Sequence, residues 1–425
     1  MNKEFMEKFS ELFKIWKRRF FIFLVVIGPG LITAVADNDA GGVATYTVAA
    51  SLYGVASRFL IIPETFLLVI TQEIGARVAI VTKKGLGDLI RERFGVKLAL
   101  FVFLLYFITN QGVVLQNIAG LKTSFQIFNL PWQLMLILTS IFLIFVVIKF
   151  DYKRLQKIFL SMIFFYFAYF FVALISKPDW SLAFKEALIW PTNTSLDLNY
   201  WFARIAVLGT TITAWGQFFI SSYVADKKLS VEHLKYQRIE IFLGAIITSF
   251  FSFMIAVAVS ETLFKHNIIA SDGYVAALAL KPLAGDLAQG LFAIGLFGAS
   301  ILGLTIVPLA TAYVFSELFG YEGSLDIDFK KGRIFYLFFT LQIILAVLIA
   351  LVPQIGLFKL TLYVDFLNGA MLPLIFYFLI IFSESTSIMG AYASKGFSKY
   401  FLRTFAVLVS SLVIISFIGK IFNIG

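Results

Sequence analysis

The sequence predicts an all-α membrane protein of eleven transmembrane helices: an inverted five-plus-five repeat with helices 1 and 6 broken, plus one extra helix. Three observations predict it. The chain is apolar along its whole length, it holds eleven long apolar runs whose flanking charge alternates, and two of those runs are interrupted five helices apart.

Of the 425 residues, 60% are hydrophobic and 14% charged, with a mean hydropathy of +0.91. A soluble domain carries about a quarter charged residues, so too little polar surface is available to cover a globule in water. Lipid must be the solvent for much of it. There is no cysteine, which excludes a disulfide framework and a thiolate metal site. The only histidines, His233 and His266, fall in charged segments between apolar runs, which argues against a histidine-built site inside the membrane. The net charge of +10 is spread between those runs rather than gathered on one face, so no nucleic-acid partner is expected. Met1–Phe20 is basic and amphipathic and lacks a small-residue cleavage site, and it is expected to be a cytoplasmic lead-in to a single domain over 21–425.

A spanning helix needs about 20 mostly apolar residues. Such runs lie at 21–52, 54–81, 98–128, 131–149, 158–176, 201–225, 238–263, 287–317, 334–352, 355–382 and 401–420. Several exceed the minimum and are expected to tilt or break. Alternate connecting segments hold 25 lysines and arginines on one side and 7 on the other. The positive-inside rule then puts the N-terminus in the cytoplasm and the C-terminus outside, in the inner (plasma) membrane of a prokaryotic cell.

Span 1 contains Gly28-Pro29-Gly30 and then Ala36-Asp37-Asn38-Asp39-Ala40-Gly41-Gly42. Two carboxylates at this depth are costly in hydrocarbon and tolerable where the backbone unwinds around a polar cavity. Span 6 carries Gly209-Thr210-Thr211-Ile212-Thr213-Ala214-Trp215-Gly216-Gln217, again glycine-flanked and rich in hydroxyls. Matching breaks in two halves are the sequence pointer to an inverted-repeat transporter with its site between them. The repeats are expected at about 21–176 and 201–382, with the extra helix at about 401–420. Small residues in a span often serve only close packing, but packing does not require Asp39. The plain structural alternative is a buried, ion-paired Asp39, with Arg77 or Lys122 as partner. Glu73 and Arg77, four apart on span 2, are expected to pair with each other. Glu240 is expected to be solvated at the mouth of span 7, and Asp365 and Asn368 to line or face an outer vestibule.

A divalent cation needs oxygen ligands, at least one of them anionic. Asp39 supplies the charge, supported by Asp37, the Asn38 amide, freed backbone carbonyls, Thr213 and Gln217. No methionine falls in either break, so the donor set is hard and suits Mg²⁺ or Mn²⁺. The ion is cargo, and no cofactor is expected.

The chain also resembles the natural resistance-associated macrophage protein (NRAMP) family of divalent metal transporters, nearly end to end. The resemblance is carried by Gly28-Pro29-Gly30, Asp39-Ala40-Gly41-Gly42 with Ala44-Thr45, Thr71–Thr82, Gly87-Asp88-Leu89 and Arg91-Glu92-Arg93-Phe94. Leu291–Leu296, Leu372-Pro373 and Ile388-Met389-Gly390 extend it. It implies a leucine-transporter-like fold, Asp39 as the metal-binding aspartate, and backbone ligands at Ala36 and Thr210. Gly42 stands where the family signature has Asn, and Thr213-Ala214-Trp215 where it has Met-Pro-His. Span 3 offers Asn110, Gln111, Gln116 and Asn117 in place of the family's acids, so proton coupling is expected to be weak or absent. The chain is similar to divergent branches that include magnesium transporters.

An amino-acid or other organic-solute symporter of the same fold is the alternative, though Asp37 and Asp39 would repel a substrate carboxylate. An enzyme is not expected, because no activated nucleophile, histidine pair or facing aspartate pair is present. Beyond the ion and the bilayer, no obligate protein partner is implied.

Overall fold

The computed structural model of the chain describes residues 28–192, 197–270, 273–352 and 361–421. Among the described residues every regular element is helical. The expected N-terminal segment and residues 21–27 of span 1 lie outside them. What remains of span 1 is α1 (Pro29–Ala36) and α2 (Ala40–Tyr53). The chain continues through α3 (Ile61–Thr82), α4 (Leu86–Ile127), α5 (Trp132–Lys149), α6 (Tyr152–Ile175) and the short α7 (Trp180–Glu186). The second half holds α8 (Leu198–Thr211), α9 (Ala214–Asp226), α10 (Leu234–Glu261), α11 (Gly273–Phe319), α12 (Arg333–Ala350) and α13 (Thr361–Glu384). A single turn, α14 (Thr386–Met389), leads to α15 (Gly396–Ile421).

Ten helical stretches among the described residues are long and apolar enough to cross a bilayer, with α8 and α9 together making one. They match the expected spans 2 to 11. At 8 and 14 residues, α1 and α2 are each too short to span alone.

Two boundaries differ most from expectation, and in the same way. Span 3 begins at Leu86 rather than 98, and span 8 at Gly273 rather than 287. Each is bent near its start by one glycine, Gly95 (φ 80, ψ 174) and Gly285 (φ 86, ψ 170). That combination of dihedrals is accessible essentially to glycine alone. The two bent helices pack along one another. They run in opposite directions from opposite faces, as an inverted repeat requires.

Burial sorts the helices by role. The apolar window of α8–α9 is 100% buried, whereas that of α15 is only 17% buried. The broken pair is therefore central, and α15 sits on the periphery as an appended helix. Ile108, Phe142 and Phe164 are 64%, 62% and 80% exposed, surface that suits lipid and not water.

Candidate cation site

Both breaks are built by the same local device. Helix α1 stops at Ala36, and the chain resumes at α2 with Asp39 as N-cap in extended backbone, its carboxylate accepting from the Gly42 N–H at 3.1 Å. Helix α8 stops at Thr211, and α9 resumes with Thr213 as N-cap, its hydroxyl accepting from the Gly216 N–H at 2.9 Å. A side-chain oxygen three residues before a glycine thus restarts each helix by satisfying an otherwise orphaned N–H. Asp39-Ala40-Gly41-Gly42 and Thr213-Ala214-Trp215-Gly216 are counterparts in the two halves.

The glycines let the breaks touch. A Cβ on Gly216 would sit 2.7 Å from Asp37 Oδ1, and one on Gly42 would sit 2.9 Å from the Asp37 carbonyl oxygen and 3.2 Å from Thr210 Oγ1. Across the gap Thr213 donates to Asp37 Oδ1 at 2.7 Å. Asp37, Asp39, Thr210, Thr213 and Gln217 are all at most 3% exposed.

Neighbouring helices hold the carboxylates. Asn117 of α4 donates to Asp39 Oδ2 at 2.6 Å and accepts from the Ala40 N–H at 3.1 Å. Gln72 of α3 donates to Asp37 Oδ2 at 3.3 Å. Among the described residues neither aspartate has a basic partner. Arg77 is taken by Glu73 at 3.0 Å, as its spacing predicts, and Lys122 lies 4.4 Å from the centre of the Trp132 ring. The ion-paired alternative for Asp39 therefore lacks both cations suggested for it. Meanwhile amide oxygens of Gln72, Gln116, Gln217 and Asn368 are buried without hydrogen-bond partners. The region is thus rich in unspent negative charge and lone pairs.

Of the eight residues singled out from the sequence, the structure brings Asp37, Asp39, Gly42, Thr210 and Thr213 together. The Ala36 carbonyl accepts from the Asp39 N–H at 3.0 Å and so closes the turn between α1 and α2. Gln217 lies one turn beyond Thr213, and neither of its amide atoms has a partner. Asn38 bonds to a neighbouring helix. Its Nδ2 donates to the Thr248 carbonyl at 2.7 Å, and its Oδ1 accepts from Ser252 at 2.8 Å. Both ends of the amide tie the break to α10, and its oxygen, with one hydrogen bond accepted, lies 3.6 Å from where a Cβ on Gly42 would sit.

Glu240 corrects a second expectation. It is 1% exposed, not solvated. Its carboxylate accepts from the N–H groups of Gly28 and Leu31 and from Gln237, a carboxylate on the N-terminus of α1 where the helix dipole favours it. Just beyond α9, Lys227 lies within electrostatic reach of Glu240, and burial pulls its ammonium down to about 8. Asp365 is also internal rather than wetted, 1% exposed and bonded by the Thr45 hydroxyl. No cluster of three His, Cys, Asp or Glu occurs among the described residues, so any ion held here is met mainly by neutral oxygens around one or two carboxylates.

Two inverted halves, each with a helix broken at the same place around buried polar groups, are the architecture on which alternating-access membrane transporters are built. The chain belongs to the natural resistance-associated macrophage protein-like (Nramp) family, whose model matches residues 30–419. Members are transporters and not enzymes. The divalent metal cation transporter MntH of Caldanaerobacter subterraneus subsp. tengcongensis is 26% identical over 283 residues, covering 64% of this chain and 66% of that one. The chain spans about half to two thirds of the length of the curated relatives it matches. Among solved structures, the manganese transporter of Eremococcus coleocola superposes with a TM-score of 0.72 at 16% identity, covering 95% of this chain and 87% of that one. MhsT, solved with L-phenylalanine, superposes at 0.61 and 13% identity, covering 92% and 97%. The fold is shared by both.

Proposed function

We propose that this chain carries a divalent metal cation across the membrane by alternating access, holding it between the breaks at Asp37–Asp39 and Thr210–Thr213. One observation carries the reading: two buried carboxylates stand side by side with no basic partner, surrounded by unspent oxygens. Buried charge is held at a cost of several kcal/mol unless it is paired, and a cation as cargo supplies the missing partner. Asp39 is the principal anionic ligand. Asp37, the carbonyls or hydroxyls at Ala36, Thr210 and Thr213, and the Gln217 amide complete an oxygen shell, and Gly42 leaves room for the ion.

The hard donor set favours Mg²⁺ or Mn²⁺, and the family resemblance favours import. Coupling to protons is weak or absent. The chain lies in the inner membrane of a prokaryotic cell as one transporter domain over 21–425, N-terminus in the cytoplasm, C-terminus outside. The organic-solute reading is supported by the fold shared with MhsT, but a substrate carboxylate would meet Asp37 and Asp39.

Isothermal titration of the purified protein with Mg²⁺, Mn²⁺, Ca²⁺ and Co²⁺ tests the assignment. Binding heat is expected for at least one ion and is lost in a folded Asp39→Ala variant. Unchanged affinity in that variant removes the central ligand, and no response to any ion while an amino acid binds removes the metal reading.

A further inference from the structure

Away from the breaks, a cavity of about 390 Å³ opens where α3, the start of α10 and the start of α15 meet, on the face that carries the basic loops. Its lining changes character with depth. Arg77, Arg238, Lys395 and Glu73 stand at the loop end, and Val69 and Ile70 lie deeper. On α3, Arg77 is about 7 Å from the helix end at Thr82 and Val69 about 20 Å. Those depths match a headgroup region and hydrocarbon respectively.

The charges are unequal. Glu73 accepts from Arg77 Nε at 3.0 Å and from Arg238 Nε at 2.8 Å. Arg77 also donates to the Tyr392 carbonyl and to Ser394, and its side chain is only 5% exposed. It is a structural member, fully engaged. Arg238 is bonded through Nε and 55% exposed, and Lys395 is exposed. Three cations face one carboxylate, so two positive charges remain open to the cavity. Tyr392, Phe397 and Tyr400 are exposed beside it at 40%, 72% and 67%, as aromatic side chains at a membrane interface are.

We propose that this cavity seats an anionic phospholipid, its phosphate against Arg238 and Lys395 and an acyl chain along Val69 and Ile70. Basic pockets between helices at a membrane surface are the recurring form of such sites. A free phosphate would use the cationic end alone, whereas the apolar depth suits an amphiphile. The site is separate from the cation site, so the two assignments stand or fall independently.

Native mass spectrometry of the full chain, with phosphatidylglycerol and phosphatidylcholine of the same acyl chains, tests it. Phosphatidylglycerol is expected to be retained preferentially. The double variant Arg238→Gln, Lys395→Gln is expected to weaken that retention by on the order of 30-fold, the effect of two basic side chains at an anionic surface. Phosphatidylcholine binding is expected to stay unchanged. Should the double variant not fold, Lys395→Gln alone, at an exposed position, is expected to give a loss of roughly 5-fold. Equal retention of the two lipids, insensitivity to these substitutions, or displacement by an equal concentration of inorganic phosphate would each overturn the proposal.

Discussion

Thr213 has two hydrogen-bond duties, and each predicts a different consequence of replacing it. It caps α9 through Gly216 and donates to Asp37. Thr213→Met loses the cap, at a cost of about 1 kcal/mol in thermal stability, and places a thioether beside Asp37. Selectivity is expected to shift toward Cd²⁺ and Co²⁺ relative to Mg²⁺, read by titration with each ion, and unchanged selectivity would mean that Thr213 does not face the cargo. Gly216→Ala is the sterner change. Its Cβ falls 2.7 Å from both Asp37 Oδ1 and Thr213 Oγ1, so metal affinity is expected to drop at least about tenfold. Gly290→Ala, with nothing within 4 Å of its added carbon, serves as the neutral control. The aspartates were legible in sequence because carboxylates have few reasons to lie deep in an apolar run. The direction of Asn38 was not legible, since a break has no periodicity to say which neighbour a side chain meets. Nor was Gln72, a neutral residue between Thr71 and Glu73 whose partner lies 35 positions away.

At the scale of elements, hydropathy located the spanning helices well, because each run must answer to lipid along its length. It failed at both ends of one motif. The stretch before Gly95 is short and mixed in polarity, and that before Gly285 is short and interrupted by Lys281 and Pro282, so a reading for about 20 continuous apolar residues stops at the bend. Glu240 was misjudged for a related reason. Its position near the start of α10 reads as a boundary in one dimension, whereas in three dimensions the start of α1 closes over it. The bends make a paired prediction. Neither Gly95 nor Gly285 has an atom within 4 Å of a prospective Cβ, so Gly95→Ala and Gly285→Ala meet only backbone strain. Each is expected to cost about 1–3 kcal/mol in thermal unfolding, and the two costs are expected to be alike because the conformations are alike. A neutral result at either position would mean that the bend relaxes without its glycine.

The behaviour of the whole molecule turns on what its buried polar groups are occupied with. The NH2 groups of the four amides of α4 are committed to neighbouring groups. Asn110 donates to Thr311, Gln111 to the Gln342 carbonyl, Gln116 to the Thr361 carbonyl and Asn117 to Asp39. The first three tie the two halves together, Asn117 holds the break in its own half, and none of the four titrates, which is the physical basis for expecting weak proton coupling. In vesicles containing a pH dye, with the potential clamped by valinomycin, metal uptake is expected without matching acidification. Acidification that follows uptake would overturn this and turn attention to Asp37, which accepts from Thr213 and Gln72 beside the ion.

The depth of the site has a consequence for rate. With each of its named side chains at most 3% exposed, the proposed cargo would have no open pore along which to reach or leave it. Under the proposed function every passage waits for helices to part on one side and then the other, motions of microseconds to milliseconds or slower. Throughput is therefore expected to level off as ion concentration rises, with a ceiling set by the opening step and not by encounter. A carrier so built would pass its cargo in counted steps, like a turnstile.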